Sequence, residues 1–475
     1  MGQEISAAGF EPRDFAAFRA ALEAETALLG QTWRAGGFSQ AGPLAGFELE
    51  AWLVDRNLYP APHNQSFLAR LNDPLVVPEL SRFNIELNGE PQPLAGDGLA
   101  RLETGLTASW RRCVAIAHDD VDTAVAIGTL PTLRDSDLTL ANMTPSNRYA
   151  ALNTELARQR GDKPVRIDIA SAFPGGGHLR STHADVMLEA ATTSFQLHLQ
   201  VPAAEIAASY NASLALSAPL VAIAANSPFL FGKALWHETR IAVFEAAFEE
   251  APVNGAERRV SFGSGYLEGD ATLPFAENLA LYPPLLPIVD DAPAERFASL
   301  RLHNGTIWRW NRLLVGFDPD DTPHLRIEQR VMPAGPSVID MLANAAFYYG
   351  AVHMLARRPL RVERALPFAA ARANFYAAAR NGLDAQVQWL DGQRVPVRAV
   401  LASLLPVARE GLDRLGVDRV LSGTYLGVIA QRLASGRTGS AWQLAHHARY
   451  GDLFRLTAEY LEHQRSGAPV HQWAV

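Results

Sequence analysis

The stretch FQLHLQ, residues Phe195–Gln200, places an apolar and a polar side chain at alternate positions. Successive side chains of a strand point to opposite faces, so this stretch is predicted to be a strand with Gln196 and His198 on one face. A histidine with a purely structural role in the core would give the same pattern. The alternation therefore predicts the strand, and the role of His198 depends on what else shares its face.

Three more stretches have the same alternation: FELE at Phe47–Glu50, NIELN at Asn84–Asn88 and RIEQR at Arg326–Arg330. If all four are strands of one sheet, their polar side chains can share one wall. Taken alone, the acidic pair Glu48 and Glu50 also fits a solvated strand face, and the stretch Arg326–Arg330 also fits an internal ladder of ion pairs. The side chains that would meet on the wall are Glu48, Glu50, Glu86, His198 and Glu328, with Gln196, Arg326 and Arg330 on the same faces of their strands.

Carboxylates, an imidazole and guanidinium groups on one wall suit a site that handles divalent metal ions and phosphate. Glu48 and Glu50 are two residues apart, which separates their side chains by roughly 6.5–7 Å on a strand. Two carboxylates at that spacing can serve neighbouring metal ions, which are held about 3.5–4 Å apart in two-metal sites. The pattern therefore favours a metal-dependent phosphate chemistry.

Composition narrows the class of protein. The chain has 475 residues, 48% of them hydrophobic, and a net charge of -8 without a basic tract, so neither nucleic acid nor a membrane is expected as a partner. A single cysteine, Cys113, excludes an internal disulfide and a cysteine-based zinc site. Together with the lack of a secretory signal pattern, it favours a cytoplasmic location.

The apolar run 212–231 is interrupted by prolines, and we expect a buried helix there.

The remaining periodicities predict one catalytic unit over 1–475, with a sheet-based core at about 40–350 and a helical part at about 351–465. The acidic segment 118–122 is predicted to be a solvated loop, and the turn Asp55–Asn57 is predicted to lead into a second short strand. The predicted elements are helices at 11–34, 99–117, 148–160 and 338–355, and strands at 46–54 and 123–130.

Three arginines outside the four stretches are further candidates. Arg309 and Arg312 would face opposite sides of a regular strand, so either a bulge aims both inward or only one of them is functional. Arg240 can begin a helix near the same wall. The glycine-rich segments 173–177 and 261–265 lack the pattern of a phosphate-binding P-loop, and we expect surface loops, with a lid as the alternative.

The chain resembles the glutamate–cysteine ligase family of carboxylate–amine ligases, within the glutamine-synthetase-like superfamily. The resemblance covers most of the chain and rests on motifs that follow one another in family order. The motifs are 46–50, 83–88, 143–149, 192–198, 225–240, 306–312, 326–330 and 436–443.

The resemblance implies an α+β fold in which a curved, mainly antiparallel sheet is flanked by helices, with Mg²⁺ and ATP on its concave face. It also implies two or three metal ions, with Mn²⁺ as a possible substitute. By motif position, the implied metal ligands are Glu48, Glu50, Glu86, His198 and Glu328; the implied catalytic arginines are Arg240, Arg312 and Arg330; and the implied nucleotide-binding residues are Gln196, Arg309 and Arg326.

The function expected from this resemblance is ATP-dependent formation of an amide bond of the γ-glutamyl type through an acyl phosphate, with glutamate and cysteine as default substrates. The expected partners are small molecules, and an oligomer is compatible with the sequence. Two alternatives stay open. One is a phosphagen-type kinase or a ligase of other substrates on the same fold, and the other is a catalytically silent relative that acts in binding or assembly.

Overall fold

The structure is a computed structural model that describes residues 4–5, 9–116, 123–248 and 257–475. The predicted loop at 118–122 lies outside these residues. The α-helices are α1 (Pro12–Arg34), α2 (Asn64–Leu71), α3 (Gly98–Ile116), α4 (Asn147–Gln159), α5 (Ile206–Ala224), α6 (Thr239–Ala247), α7 (Leu273–Leu281), α8 (Ala298–Asn304), α9 (Val338–Leu355), α10 (Val362–Ala365), α11 (Phe368–Asn381), α12 (Val397–Arg414), α13 (Arg419–Ser435), α14 (Gly439–Tyr450) and α15 (Leu453–Ser466).

The strands form one large sheet and several two-stranded pairs. They are β1 (Leu44–Val54), β2 (Val76–Pro78), β3 (Asn84–Asn88), β4 (Gln92–Pro93), β5 (Thr123–Val125), β6 (Val165–Ala170), β7 (His178–His183), β8 (Phe195–Gln200), β9 (Phe229–Leu230), β10 (Lys233–Ala234), β11 (Val260–Ser261), β12 (Trp308–Arg309), β13 (Asn311–Phe317), β14 (Pro323–Gln329), β15 (Gln386–Gln388) and β16 (Arg394–Pro396).

The large sheet is antiparallel and curled, with the strand order β13-β14-β8-β1-β3-β2. Short strands β4 and β5 pair with the two ends of β1. The four stretches that predicted the sheet are all in it, on the neighbouring strands β14, β8, β1 and β3. The predicted fold class, a mainly antiparallel curved sheet with flanking helices, is therefore confirmed.

One face of this sheet is buried against helices. On β8, Phe195, Leu197 and Leu199 are at most 3% exposed, as expected for the apolar half of an alternating strand. Helix α9 packs behind them, and the hydroxyl of its Tyr349 donates to the carbonyl oxygen of His198 at 3.3 Å. The polar half of the strand consequently faces the opposite side, where the functional site lies.

Two apolar helices, α5 and α9, form the centre of the core and pack against each other. The segment Ala203–Ala224 is long and apolar enough to cross a membrane, but 89% of its most apolar window is buried inside the protein. This burial fits the predicted core helix. Helix α9 begins with a side-chain cap, in which the Ser337 hydroxyl accepts from the backbone N–H of Asp340.

The structure departs from the predicted elements in three places. The second strand expected after Asp55–Asn57 is reduced to a single bridge between Val54 and Pro60. The strand expected at 123–130 ends at Val125. The backbone carbonyl oxygens that follow accept hydrogen bonds from side chains and not from a neighbouring strand; the Tyr460 hydroxyl, for example, donates to the carbonyl oxygen of Ala126 at 2.9 Å. The helical part contains the hairpin β15–β16, whose turn uses Gly392 at φ 79°.

A buried ion pair ties the start of α9 to α13. Arg432 donates to Oδ1 of Asp340 at 2.7 Å, and both side chains are at most 1% exposed. Ser337 and the backbone N–H of Val470 donate to the other carboxylate oxygen at 2.7 and 2.9 Å. The carboxylate thus joins the first helix after the sheet to the C-terminal segment.

Replacing Asp340 by Asn should destabilise the protein strongly, because Arg432 would keep a buried charge without its counter-ion. We expect a loss of about 3–5 kcal/mol in the free energy of unfolding, measured by denaturant titration. Glu410→Gln is the control, since Glu410 pairs with Arg414 on the surface, and such pairs contribute little. Equal unfolding midpoints for the two variants would contradict the role given to Asp340.

Candidate active site

The register of the large sheet sets the site. Glu328 of β14 lies opposite His198 of β8, and Glu50 of β1 lies opposite Glu86 of β3. Directly opposed side chains on one face have Cβ atoms about 4.5–5.5 Å apart. The five residues predicted as metal ligands are therefore gathered on one wall by pairing between strands, as the alternation required.

The first cluster on this wall is Glu48, His198 and Glu328, each with a ligand atom within 4.8 Å of the others. His198 Nε2 is 3.1 Å from Oε1 of Glu48, but it is buried and has no hydrogen-bond partner among the described residues. Burial works to raise the pKa of Glu48, yet the His198 imidazole holds it at about 2. A carboxylate that stays ionised within this cluster fits a cation site.

The second cluster is Glu50, Glu79 and Glu86, also within 4.8 Å of one another. Burial, opposed by Arg330 and reinforced by Glu86, raises the pKa of Glu50 to about 7. Burial and then the charges of Glu86 and Glu50 raise the pKa of Glu79 well above its usual range. Three carboxylates that repel one another, with Glu86 buried and the other two half-buried, are the donor set that a hard divalent cation would neutralise.

Glu79 was missed by the sequence reasoning because it stands alone, without the alternation that marked the other acids. It directly follows β2, which pairs with β3 so that Pro78 lies opposite Ile85. The signal that could have found it is this position: an acidic residue at the end of a short strand next to a strand that carries a candidate ligand.

Arginines balance the first cluster. Arg312 binds both carboxylate oxygens of Glu328 through Nε and Nη2, each at 2.9 Å, and Arg330 donates to the same residue at 3.0 Å. Burial works to raise the pKa of Glu328, but these two guanidinium groups hold it well below its usual range. Arg330 also donates to Gln196, whose amide donates to Glu50 at 2.9 Å. Gln196 therefore connects the two clusters.

Arg326 makes a different contact from the one expected of a nucleotide-binding residue. Its Nε donates to Nδ1 of His198 at 3.1 Å, and the side chain lies along the wall of the cavity. Arg326 consequently orients the ring of His198. Its predicted contact with a nucleotide stays a prediction.

The wall bounds a cavity of about 1020 Å³. Besides the clusters, Arg148, Tyr149 and Glu189 line it. Burial and the charge of Glu50 raise the pKa of Glu189 to about 8. The segment 288–292 also lines the cavity, which has room for a nucleotide and a second substrate.

Two predicted arginines do not line this cavity. Arg309 lies 3.0 Å from Glu277. Trp310 separates β12 from β13, and of Arg309 and Arg312 only Arg312 points to the wall. Arg240 is 2% exposed; it donates to Glu238 at 3.1 Å and to the carbonyl oxygen of Val331 at 2.6 Å. Both guanidinium groups are used inside the protein, and the predicted nucleotide contact of Arg309 and the predicted catalytic role of Arg240 stay predictions.

The model of glutamate-cysteine ligase family 2 (GCS2) matches residues 44–459. The chain belongs to this family. The match confirms the predicted resemblance, and the chain is an ATP-dependent carbon–nitrogen ligase of the glutamate–cysteine ligase type. A comparison with curated proteins finds no match.

A solved structure supports this fold. The glutamate–cysteine ligase (gshA) of Francisella tularensis, solved in complex with AMP, is 11% identical, with a TM-score of 0.59 over 90% of each chain. A bifunctional glutathione synthetase from Pasteurella multocida is 12% identical, with a TM-score of 0.48 over 91% of this chain and 54% of that one. At such low identity, the first similarity shows the fold alone.

Arg309 and Arg312, which lie on either side of Trp310, should differ in function. Arg312→Gln should lower ATP-dependent phosphate release by about a hundredfold, because it removes a buried charge from the wall. Arg309→Gln should keep most of the activity, because Arg309 lies outside the cavity. Both side chains are buried, so the rates are compared well below the melting temperature of each variant. A larger loss in Arg309→Gln would contradict this assignment.

Proposed function

We propose that this ligase joins an amino-acid carboxylate to an amine through an acyl phosphate, forming an amide of the γ-glutamyl type. The observation that supports the proposal is the arrangement of two carboxylate clusters beside a pair of arginines on one wall of a large cavity. One wall can therefore hold cations and anionic groups next to each other. Transfer of a phosphoryl group from ATP to a carboxylate requires this combination.

The chemistry follows from the poor reactivity of a carboxylate with amines. Phosphorylation turns the carboxylate oxygen into a leaving group, and the amine then forms the C–N bond as phosphate departs. Arg330 lines the cavity and contacts Glu328 through Nη1, so its guanidinium group can also bind a phosphoryl oxygen. Arg312 fixes Glu328 in place and adds positive charge for the developing anion.

The donor sets fit Mg²⁺, and we propose that it is the resident ion, with one ion at each cluster. Glu48, His198 and Glu328 would hold one ion, and Glu50, Glu79 and Glu86 would hold another. When bound, Mg²⁺ neutralises charge on the phosphates of ATP. The expected third ion and the substitution by Mn²⁺ stay predictions.

Glutamate and cysteine are the default substrates that we propose, on the basis of the family. A screen of phosphate release with ATP, Mg²⁺ and pairs of amino acids tests this choice and separates the alternatives. Phosphate release that depends on both an acid and an amine supports the ligase. ATP consumption without an amine, with a stable phosphorylated product, would indicate a kinase, and failure to bind Mg²⁺–ATP would indicate a silent relative. The cytoplasmic location, the oligomeric state and the absence of nucleic-acid or membrane partners stay predictions.

Replacing Glu50 by Gln should abolish activity without unfolding the protein. Burial already disfavours the charge on Glu50, so a neutral amide suits the empty site, while it weakens cation binding. We expect Mg²⁺ to raise the melting temperature of the wild type but much less that of the variant. Glu205→Gln, which changes a half-exposed residue paired with Arg357, is the control. Activity retained in Glu50→Gln would contradict the proposed site.

Replacing Glu79 by Gln tests the division into two clusters. Titration with Mn²⁺, followed by electron paramagnetic resonance, should show fewer bound ions in Glu79→Gln than in the wild type. The ion at Glu48, His198 and Glu328 should remain, because Glu79 is not part of that cluster. An unchanged number of bound ions would exclude Glu79 as a ligand.

A further inference from the structure

The segment Arg330–Pro336, which leaves the sheet after β14, is held by backbone hydrogen bonds to Trp310 and to residues around the start of β8, and by side chains from other parts of the chain. Arg240 donates through Nη2 to the carbonyl oxygens of Arg330 and Val331, at 3.3 and 2.6 Å. The segment is buried throughout. The backbone that carries Arg330 is therefore positioned by Arg240, a residue about ninety positions earlier in the chain.

Arg240 is itself fixed by a buried carboxylate. Its Nε donates to Oε1 of Glu238 at 3.1 Å, and Glu238 is fully buried. The same carboxylate accepts from the backbone N–H of Asn226 at 2.9 Å and from the hydroxyl of Ser227 at 2.6 Å. These contacts leave Arg240 little freedom, and they connect it to the turn after α5.

Asn226 continues the connection into the C-terminal helices. Its side-chain amide donates to the carbonyl oxygen of Ala334 at 2.7 Å and to the hydroxyl of Tyr460 at 2.8 Å. Its Oδ1 accepts from Nε2 of Gln443 at 2.9 Å. A continuous series of buried hydrogen bonds thus runs from Gln443 on α14, through Asn226, Glu238 and Arg240, to the backbone of Arg330.

Two glycines make room for this series. A Cβ atom on Gly439 would overlap with Oδ1 of Asn226, the atom that accepts from Gln443. A Cβ atom on Gly335 would overlap with the carbonyl oxygen of Ala126 and approach the Tyr460 hydroxyl to 2.7 Å, and Gly335 has a φ of 79°. The close packing around Asn226 therefore depends on glycine in both the segment Arg330–Pro336 and α14.

We propose that this series, Gln443–Asn226–Glu238–Arg240, positions Arg330 for the reaction, so that α14 contributes to catalysis from a distance. The inference rests on the proposed function, because it assumes that Arg330 binds the reacting phosphoryl group. Arg240 and Gln443 are positioning residues: neither lines the cavity. A displacement of the reacting groups by about 1 Å can cost a hundredfold in rate, which makes the backbone of Arg330 a sensitive point.

The test compares Gln443→Met with the control Tyr425→Phe. Methionine has a similar length but no amide, so it removes the bonds to Asn226. Tyr425 is fully buried on α13, and its hydroxyl donates to Glu103 at 2.6 Å, away from the series. Gln443→Met removes the two bonds from Nε2 to Asn226, and Tyr425→Phe removes the bond to Glu103. Each variant thus loses side-chain hydrogen bonds that join a C-terminal helix to an earlier part of the chain, so a loss of general stability should be similar in both.

Two readouts are measured on the full chain: amide hydrogen exchange of peptides covering 330–336, and kcat and KM for ATP in phosphate release. In Gln443→Met we expect faster exchange in that segment and a fall in kcat of about tenfold or more, with a smaller change in KM. In Tyr425→Phe we expect neither change. Arg240→Lys should resemble Gln443→Met, because lysine cannot contact Glu238 and both carbonyls in the same fork geometry.

The outcomes separate the two proposals. Exchange and kcat in Gln443→Met that match those of Tyr425→Phe would overturn the positioning role and leave the proposed function intact. If the wild type released no phosphate with any pair of substrates, the proposed function would fail, and a role of the series in that reaction would fail with it. Faster exchange at 330–336 together with lower kcat, confined to Gln443→Met and Arg240→Lys, supports the inference.

Discussion

The pairing register of β14, β8, β1 and β3 is the constraint on which the site depends. Each of these strands buries its apolar side chains against helices and turns its polar side chains to the cavity. Because the side-chain period of a strand is two, a slip of one residue would send the ligands of that strand into the core and its leucines into the cavity. The burial of residues such as Leu197 and Ile327, at most 1% exposed, therefore fixes the site and the fold together.

The two clusters differ in how the protein balances their charge. Glu328 has Arg312 and Arg330 as partners, so it stays ionised and its position is set by the protein. Glu50 and Glu79, in contrast, have no ion pair with an arginine in the described parts of the chain, and their pKa values are raised. Clustered carboxylates without a direct ion-pair partner cost stability. A bound cation and the bound substrates would balance this negative charge, so the cost applies only to the site without them.

The alternation of residue types predicted much of this, because period two directly reports which side chains share a face. It identified the sheet and brought Glu48, Glu50, Glu86, His198 and Glu328 to one wall. It did not find Glu79, whose ligand position comes from the β2–β3 pairing and not from its own neighbours. Nor did it show that Arg309 and Arg240 lie away from the cavity: Trp310 interrupts the strand between Arg309 and Arg312, and the buried partner of Arg240 lies only two residues away, which no period reveals.

The same limit explains why the C-terminal helices were read only as a helical part beside the active-site core. Their amphipathic pattern reports that one face is buried, but it does not report what that face contacts. In the structure, Gln443 and Tyr460 reach Asn226, and Gln464 donates to the carbonyl oxygens of Ala126, at 2.8 Å, and Pro336. These polar contacts are specific in direction, unlike the apolar packing around them. A sheet that gathers charges on one wall still needs its strand ends held, and the helices after the sheet supply donors at those ends.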